Sequence, residues 1–230
     1  MVAALFLSHL IGDYILQWDG LARWKARELK GVLIHGAVVQ AVTLLCALPF
    51  NPGWWPYALF VGVTHTLIDT LPLSIGKRFH PFVWFVMDQI AHLAIMIIAL
   101  VASGYLGTTS LAADLMAAFT GNRLWAFTLG YAFLTMPAWV VVEFIVYALI
   151  KGSGPDFTRV PNKYLGSLER GLITTFVLLG QFTLIPLVAL PRLIFDGPQM
   201  PNDQRATLYV AELLASIGLA VMIGLGLRLV

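Results

Sequence analysis

Residues 82–100 read Phe82-Val-Trp-Phe-Val-Met-Asp88-Gln-Ile-Ala-His92-Leu-Ala-Ile-Met-Ile-Ile-Ala-Leu100. The run is long and apolar enough for a bilayer-spanning helix, yet it holds an aspartate and a histidine four residues apart. Residues at that spacing share a helix face, so carboxylate and imidazole point the same way. Two further stretches carry the pair in the opposite order, His9-Leu-Ile-Gly-Asp13 and His65-Thr-Leu-Ile-Asp69, and His35 lies in another apolar run. Ionisable groups in lipid-like sequence are costly without partners or a metal. The repeated pairs therefore mark a buried polar site.

Composition agrees with a membrane protein. Hydrophobic residues make up 59% of the 230, charged residues only 11%, and mean hydropathy is +0.84. Soluble domains are nearer a quarter charged. No alternating strand pattern is present, so the expected fold is all-α, a polytopic transmembrane helix bundle. Seven spans are predicted, at residues 2–18, 31–50, 57–76, 82–104, 124–150, 166–190 and 206–228. Asp13 within the first apolar run, with no basic segment before it, argues for a span there and against a secretion signal. Trp18 to Lys30 reads as an interfacial amphipathic helix, and 108–120 as a second.

Alternating seven spans across the bilayer puts Arg23, Lys25, Arg27, Lys30, Lys77, Arg78, Lys151, Arg159 and Lys163 on one side, with Arg170 and Arg228 nearby. Arg123, Arg192 and Arg205 fall on the other. The positive-inside bias then places the amino terminus outside and the carboxy terminus in the cytoplasm. The whole chain reads as one membrane domain. Residues 1–104 form a His/Asp-bearing four-helix half and residues 105–230 supply supporting helices. Cys46 is the sole cysteine, so no intrachain disulfide forms. Basic residues confined to loops give no reason to expect a nucleic-acid partner.

Counted from the ends of these spans, Asp13, His35, Asp69 and Asp88 lie at similar depth, roughly 6–12 Å from one face at 1.5 Å per residue. His9, His65 and His92 lie a turn deeper. His9-x-x-x-Asp13 with His35, and His65-x-x-x-Asp69 with His92, have nearly equal internal spacing and read as a tandem hairpin repeat. Coincidence of three positions is the alternative.

The candidate metal ligands are His9, Asp13, His35, His65, Asp69, Asp88 and His92, with His9, His65, Asp69 and His92 favoured as direct ligands. Mixed imidazole and carboxylate donors suit one or two divalent ions, Zn²⁺ best, with Mn²⁺ or Fe²⁺ as alternatives. A catalytic zinc keeps one position for water and lowers its pKa to about 7. Asp13, Asp88 and Glu143 are candidate proton-transfer groups. Lys25 and Arg170 are placed to hold a substrate phosphate, with Gln17 and Gln89 extending the polar faces. A purely structural network is a poor explanation. Three aspartates at helix centres cost about 8–10 kcal/mol on insertion scales, whereas interhelical hydrogen bonds return only about 0.6–2 each. The favoured function is a metal-dependent hydrolase acting on a lipid or lipid-linked substrate near the cytoplasmic leaflet. The alternative is a proton- or ion-coupled transporter using the cluster as a relay.

The string His9-Leu-Ile-Gly-Asp13-Tyr-Ile-Leu-Gln17, with Lys25, His35, His65-x-x-x-Asp69 and Asp88-Gln89-x-x-His92, resembles a bacterial inner-membrane family known as domain of unknown function 3307. Gly166-Ser-Leu-Glu169-Arg170 and Gly180-Gln181 are similar to its second half. The resemblance implies a helical membrane fold and a bacterial inner-membrane location, and brings no reaction with it. A looser likeness of chemistry links the chain to membrane-bound metal-dependent hydrolases, including seven-span ceramidase-type enzymes.

Overall fold

The computed structural model describes residues 1–75, 79–155, 157, 163–196 and 203–230. Lys77, Arg78 and Arg159, used above to orient the chain, lie outside the described residues. All regular structure among the described residues is helical. Helices satisfy every backbone group within one segment, as an apolar solvent demands. The chain forms two compact units, Met1–Leu129 and Gly130–Val230.

In the first unit, α1 (Val2–Leu10) runs directly into a π-helical turn, Ile11–Ile15, closed by a Leu16 N–H to Ile11 carbonyl bond of 2.8 Å. A short helix α2 (Asp19–Lys25) follows, then α3 (Leu29–Ala47), α4 (Trp55–Ile75), α5 (Pro81–Ala102) and α6 (Leu111–Thr120). Leu5, Ala47, Trp54, Ala58, Val61, Met96 and Leu100 are buried together as its apolar core. They come from α1, the end of α3, the 3-10 turn Pro52–Trp54 that precedes α4, the start of α4 and the end of α5. The opposite ends of the same helices carry the histidines and aspartates.

Small residues set the helix spacing. A Cβ on Gly36 of α3 would collide with Thr66 Oγ1 of α4, and one on Gly62 of α4 with Gln40 Oε1 of α3. Gly31 of α3 lies against α2: a Cβ there would stand 2.5 Å from the Lys25 nitrogen and the Trp24 carbonyl carbon. Trp24 Nε1 also donates to Glu28 Oε2 at 2.9 Å. The expected Trp18–Lys30 helix is shorter than read, ending at Lys25 before α3 begins at Leu29, and it keeps one buried face. Leu21 is buried, Arg23, Arg27 and Lys30 are exposed, and Lys25 turns inward.

The seven-span expectation is corrected. Among the described residues three helices are long and apolar enough to cross a membrane, Leu29–Ala47, Pro81–Ala102 and Arg205–Arg228. A fourth is counted if Arg123–Leu134 and Met136–Ile150 form one bent span. Each missing span has a visible cause. Val2–Ile15 is too short. The α4 helix has 21 residues but interrupts its apolar run with Thr64, His65, Thr66, Asp69 and Thr70. The sixth predicted span breaks at Gly180, whose φ of 72° ends α9 (Lys163–Leu178) ahead of α10 (Ile185–Asp196). The orientation with the amino terminus outside and the carboxy terminus cytoplasmic rested on alternating loops over seven spans, and a count of three or four removes that basis.

The second unit packs α8 (Met136–Ile150), α9 and α11 (Asp203–Arg228). The Gly130–Leu134 end of α7 (Arg123–Leu134) also belongs to it, and α7 meets α8 at a 50° bend just before Pro137. A break in an apolar helix frees carbonyls that need donors. Arg170 supplies them: Nε donates to the Leu134 carbonyl at 2.7 Å and Nη2 to that of Thr135 at 2.8 Å. Its remaining bonds reach Ser216 and Ser167 at 3.2 Å each. Glu143 is buried in the same unit and accepts from Trp139 Nε1 at 3.1 Å.

Two stability predictions follow from these contacts, read by thermal melting in detergent. Gly31→Ala forces α2 away from α3 and costs about 1–3 kcal/mol, whereas Gly171→Ala, with no atom within 4 Å of its Cβ, is neutral or stabilising. Arg170→Ala leaves two carbonyls without donors and costs about 2–3 kcal/mol. Arg170→Lys does not restore it, because one ammonium cannot reproduce the planar fork.

Candidate metal centre

Asp13 lies in the π-helical turn that ends the first helix. Such turns shift the register of the side chains that follow and recur at functional sites. Its Oδ1 is 3.0 Å from His35 Nε2 on α3 and 3.8 Å from His65 Nε2 on α4. Asp69, one turn beyond His65, brings Oδ2 to 3.3 Å from His65 Nε2 and 3.4 Å from His35 Nε2. The two histidine nitrogens face each other at 3.3 Å. His35 Nε2, His65 Nε2 and Asp69 Oδ2 thus form a trio 3.3–3.4 Å apart, with Asp13 Oδ1 set against the two histidines from the first helix. Ligands about 2.0–2.2 Å from a tetrahedral ion stand about 3.3–3.6 Å from one another, close to these separations.

His92 of α5 stacks on His65 with ring centroids 4.0 Å apart. Its Nδ1 is 3.5 Å from Asp88 Oδ2 and 3.8 Å from Asp13 Oδ2, and its Nε2 is 3.9 Å from Asp69 Oδ1. Gln89 donates to Asp88 at 2.9 Å and to Asp13 at 3.4 Å, and its Oε1 is 3.3 Å from His9 Nε2. His9 also stands 4.0 Å from Asp13, so it sits at the edge of the cluster. The three groups Asp13/His35/His65, His65/Asp69/His92 and Asp13/Asp88/His92 each bring ligand atoms within 4.8 Å of one another.

Burial sharpens the picture. The side chains of His35, His65, Asp69 and His92 are at most 2% exposed. Asp69 Oδ2 and both ring nitrogens of His92 are buried without a hydrogen-bond partner. A buried acceptor of that kind costs about 1–3 kcal/mol or more when charged, which a cation removes. The outermost members are Asp88 at 23% and Lys25 at 20%.

The expected residues thus divide. His9, Asp13, His35, His65, Asp69, Asp88, His92 and Gln89 come together. Lys25, expected at a substrate phosphate, instead lies inside the cluster, with Nζ 3.0 Å from Asp69 Oδ1 and 3.7 Å from Asp13 Oδ1. Burial works to lower its pKa, but the charges of Asp13, Asp69 and Asp88 outweigh it and hold the ammonium above its ordinary value. Gln17 follows the π-turn, its Oε1 buried without a partner. Glu143 and Arg170 belong to the second unit. Sequence reasoning missed the supporting glycines. Gly12, Gly31 and Gly36 fall inside otherwise regular apolar patterns, and that interruption is the signal of close backbone approach.

Neither a curated protein nor a solved structure matches the chain. One family model does, over residues 1–119, a stretch that holds every member of the cluster and ends short of Gly166–Arg170 and Gly180-Gln181. With more than half of its length matched, this integral membrane protein belongs to the family described as "Protein of unknown function (DUF3307)".

Proposed function

We propose that the chain is a membrane-embedded, metal-dependent hydrolase acting on a lipid or lipid-linked substrate. The observation that carries this reading is the trio His35 Nε2, His65 Nε2 and Asp69 Oδ2, whose separations of 3.3–3.4 Å suit three corners of a tetrahedral shell and leave the fourth for water. Imidazole and carboxylate donors favour Zn²⁺, with Mn²⁺ or Fe²⁺ next. This trio keeps His65 and Asp69 among the direct ligands and puts His35 in place of His9 and His92. A divalent ion held there supplies a Lewis acid and draws the pKa of a bound water toward about 7.

The protein groups divide the remaining work. Asp88 is the most exposed carboxylate of the cluster and is held by Gln89, so it is the base that accepts the proton of the attacking water. The water oxygen bonds to the carbonyl carbon or phosphorus as the bond from that atom to the leaving oxygen breaks, and the leaving oxygen takes up the proton that Asp88 accepted. His92, between Asp88 and Asp13, keeps their charges apart. The short α2 helix brings exposed Arg23 and neighbouring Arg27 beside the site, where basic side chains attract anionic headgroups.

A relay for protons or ions needs polar groups through the full thickness of the unit. Beyond the cluster, the first unit is filled by Leu5, Val61, Met96 and Leu100. That filling supports a one-sided site and weighs against a through-path.

Metal content by mass spectrometry on detergent-purified protein tests the reading. Wild type is expected to carry near-stoichiometric zinc, manganese or iron. His65→Ala and Asp69→Asn are expected to lose at least ten-fold in retained metal while keeping their helical circular dichroism. Folded wild type that takes up none of these ions on reconstitution would overturn the hydrolase and make the relay the leading idea. Asp88→Asn should keep its metal and lose hydrolysis of whichever lipid ester a screen identifies.

A further inference from the structure

The number of ions is a question of charge. The cluster holds three carboxylates, Asp13, Asp69 and Asp88, and one ammonium, Lys25. Histidine binds a metal as neutral imidazole, so the four rings add nothing. One divalent ion together with Lys25 brings three positive charges against three negative ones. Two divalent ions with Lys25 would leave an excess of two in a site where unbalanced charge is severely penalised.

The geometry shows the same division. In two-metal sites the ions stand about 3.5–4 Å apart, close enough for one carboxylate to serve both. Asp69 has that split disposition here. Its Oδ2 faces His35 and His65 at 3.4 and 3.3 Å, while its Oδ1 is 3.0 Å from Lys25 Nζ. Lys25 also reaches Asp13 Oδ1 at 3.7 Å. It is brought there by a seven-residue helix packed backbone to backbone against Gly31. Resting on the metal reading above, we propose that the site holds a single divalent ion and that the Lys25 ammonium fills the place of a second cation between Asp13 and Asp69. Lys25 is then a positioning residue that balances the carboxylates, and it does not bind the substrate headgroup.

The test is the ion count per chain after saturation with Zn²⁺ and gel filtration in detergent, for wild type, Lys25→Arg and Lys25→Met. Wild type and Lys25→Arg are expected to retain one ion. Lys25→Met, matched in length and uncharged, frees the place between Asp13 and Asp69 and is expected to retain two, since two divalent ions with one bound hydroxide bring four positive charges against four negative ones. Two ions in wild type, with Lys25 in place, would overturn the proposal without recourse to any variant. A folded Lys25→Met chain that still holds one ion would overturn it as well. Circular dichroism monitors folding, and Lys25→Gln replaces Lys25→Met if the latter aggregates. Zero ions in wild type would instead remove the metal reading itself, so the two failures are distinguishable.

Discussion

Asp13 organises the first unit. A carboxylate buried among apolar helices must be compensated within a few ångströms, because the surrounding medium screens almost nothing. Its two oxygens lie within 4.0 Å of groups from α2, α3, α4 and α5, and of His9 in its own helix. Each of those helices therefore meets the first at a fixed level. Apolar packing at the far end around Trp54 and Leu100 is permissive about register, as oily surfaces are. Polar convergence is not permissive, and it holds the polar ends of five segments in one arrangement.

Two kinds of residue make that convergence affordable in space. Gly31 and Gly36 let α2 and α4 come close to α3, and side chains of ordinary size could not otherwise span the gaps. The titratable groups then occupy a volume so small that their mutual distances are those of ligands and ion pairs. Arg170 solves a related problem in the second unit. It serves carbonyls released where the helix bends, in the role a bound cation has at the broken helices of some membrane proteins.

Much of this was readable in the residues. The four-residue spacing of His9 and Asp13, His65 and Asp69, and Asp88 and His92 anticipated common faces, and counting residues from span ends anticipated a common level. The all-helical fold followed from apolar runs without alternation. What escaped has a physical cause in each case. Composition cannot tell an apolar helix that spans from one that is too short, as in Val2–Ile15. It also cannot see the reversal at Gly180 that divides one apparent span in two. Lys25 read as a cation for a substrate phosphate because it shares a basic segment with Arg23, Arg27 and Lys30. Its inward turn depends on contacts with α3 that no local pattern encodes. Arg170 looked like a headgroup clamp because the bend at Thr135 is distant in sequence.

The π-helical turn at Ile11–Ile15 has a consequence for how tolerant this segment is of change in length. A π-turn carries one residue more than the α-helical turn it replaces. Removing any one of those residues would let the segment relax into ordinary helix, with better backbone packing and no strain. The chain beyond would keep nearly its direction, because the same turn is completed with one residue fewer, and α2 with Lys25 would stay close to its place. The segment is still held to its residue count more strictly than to most of its residue identities. Substitutions at Ile11 or Ile15 change only local packing, whereas deletion of Ile11 or Gly12 would leave a helical, well-packed chain in which the Asp13 carboxylate follows His9 by three residues and no longer meets the same partners.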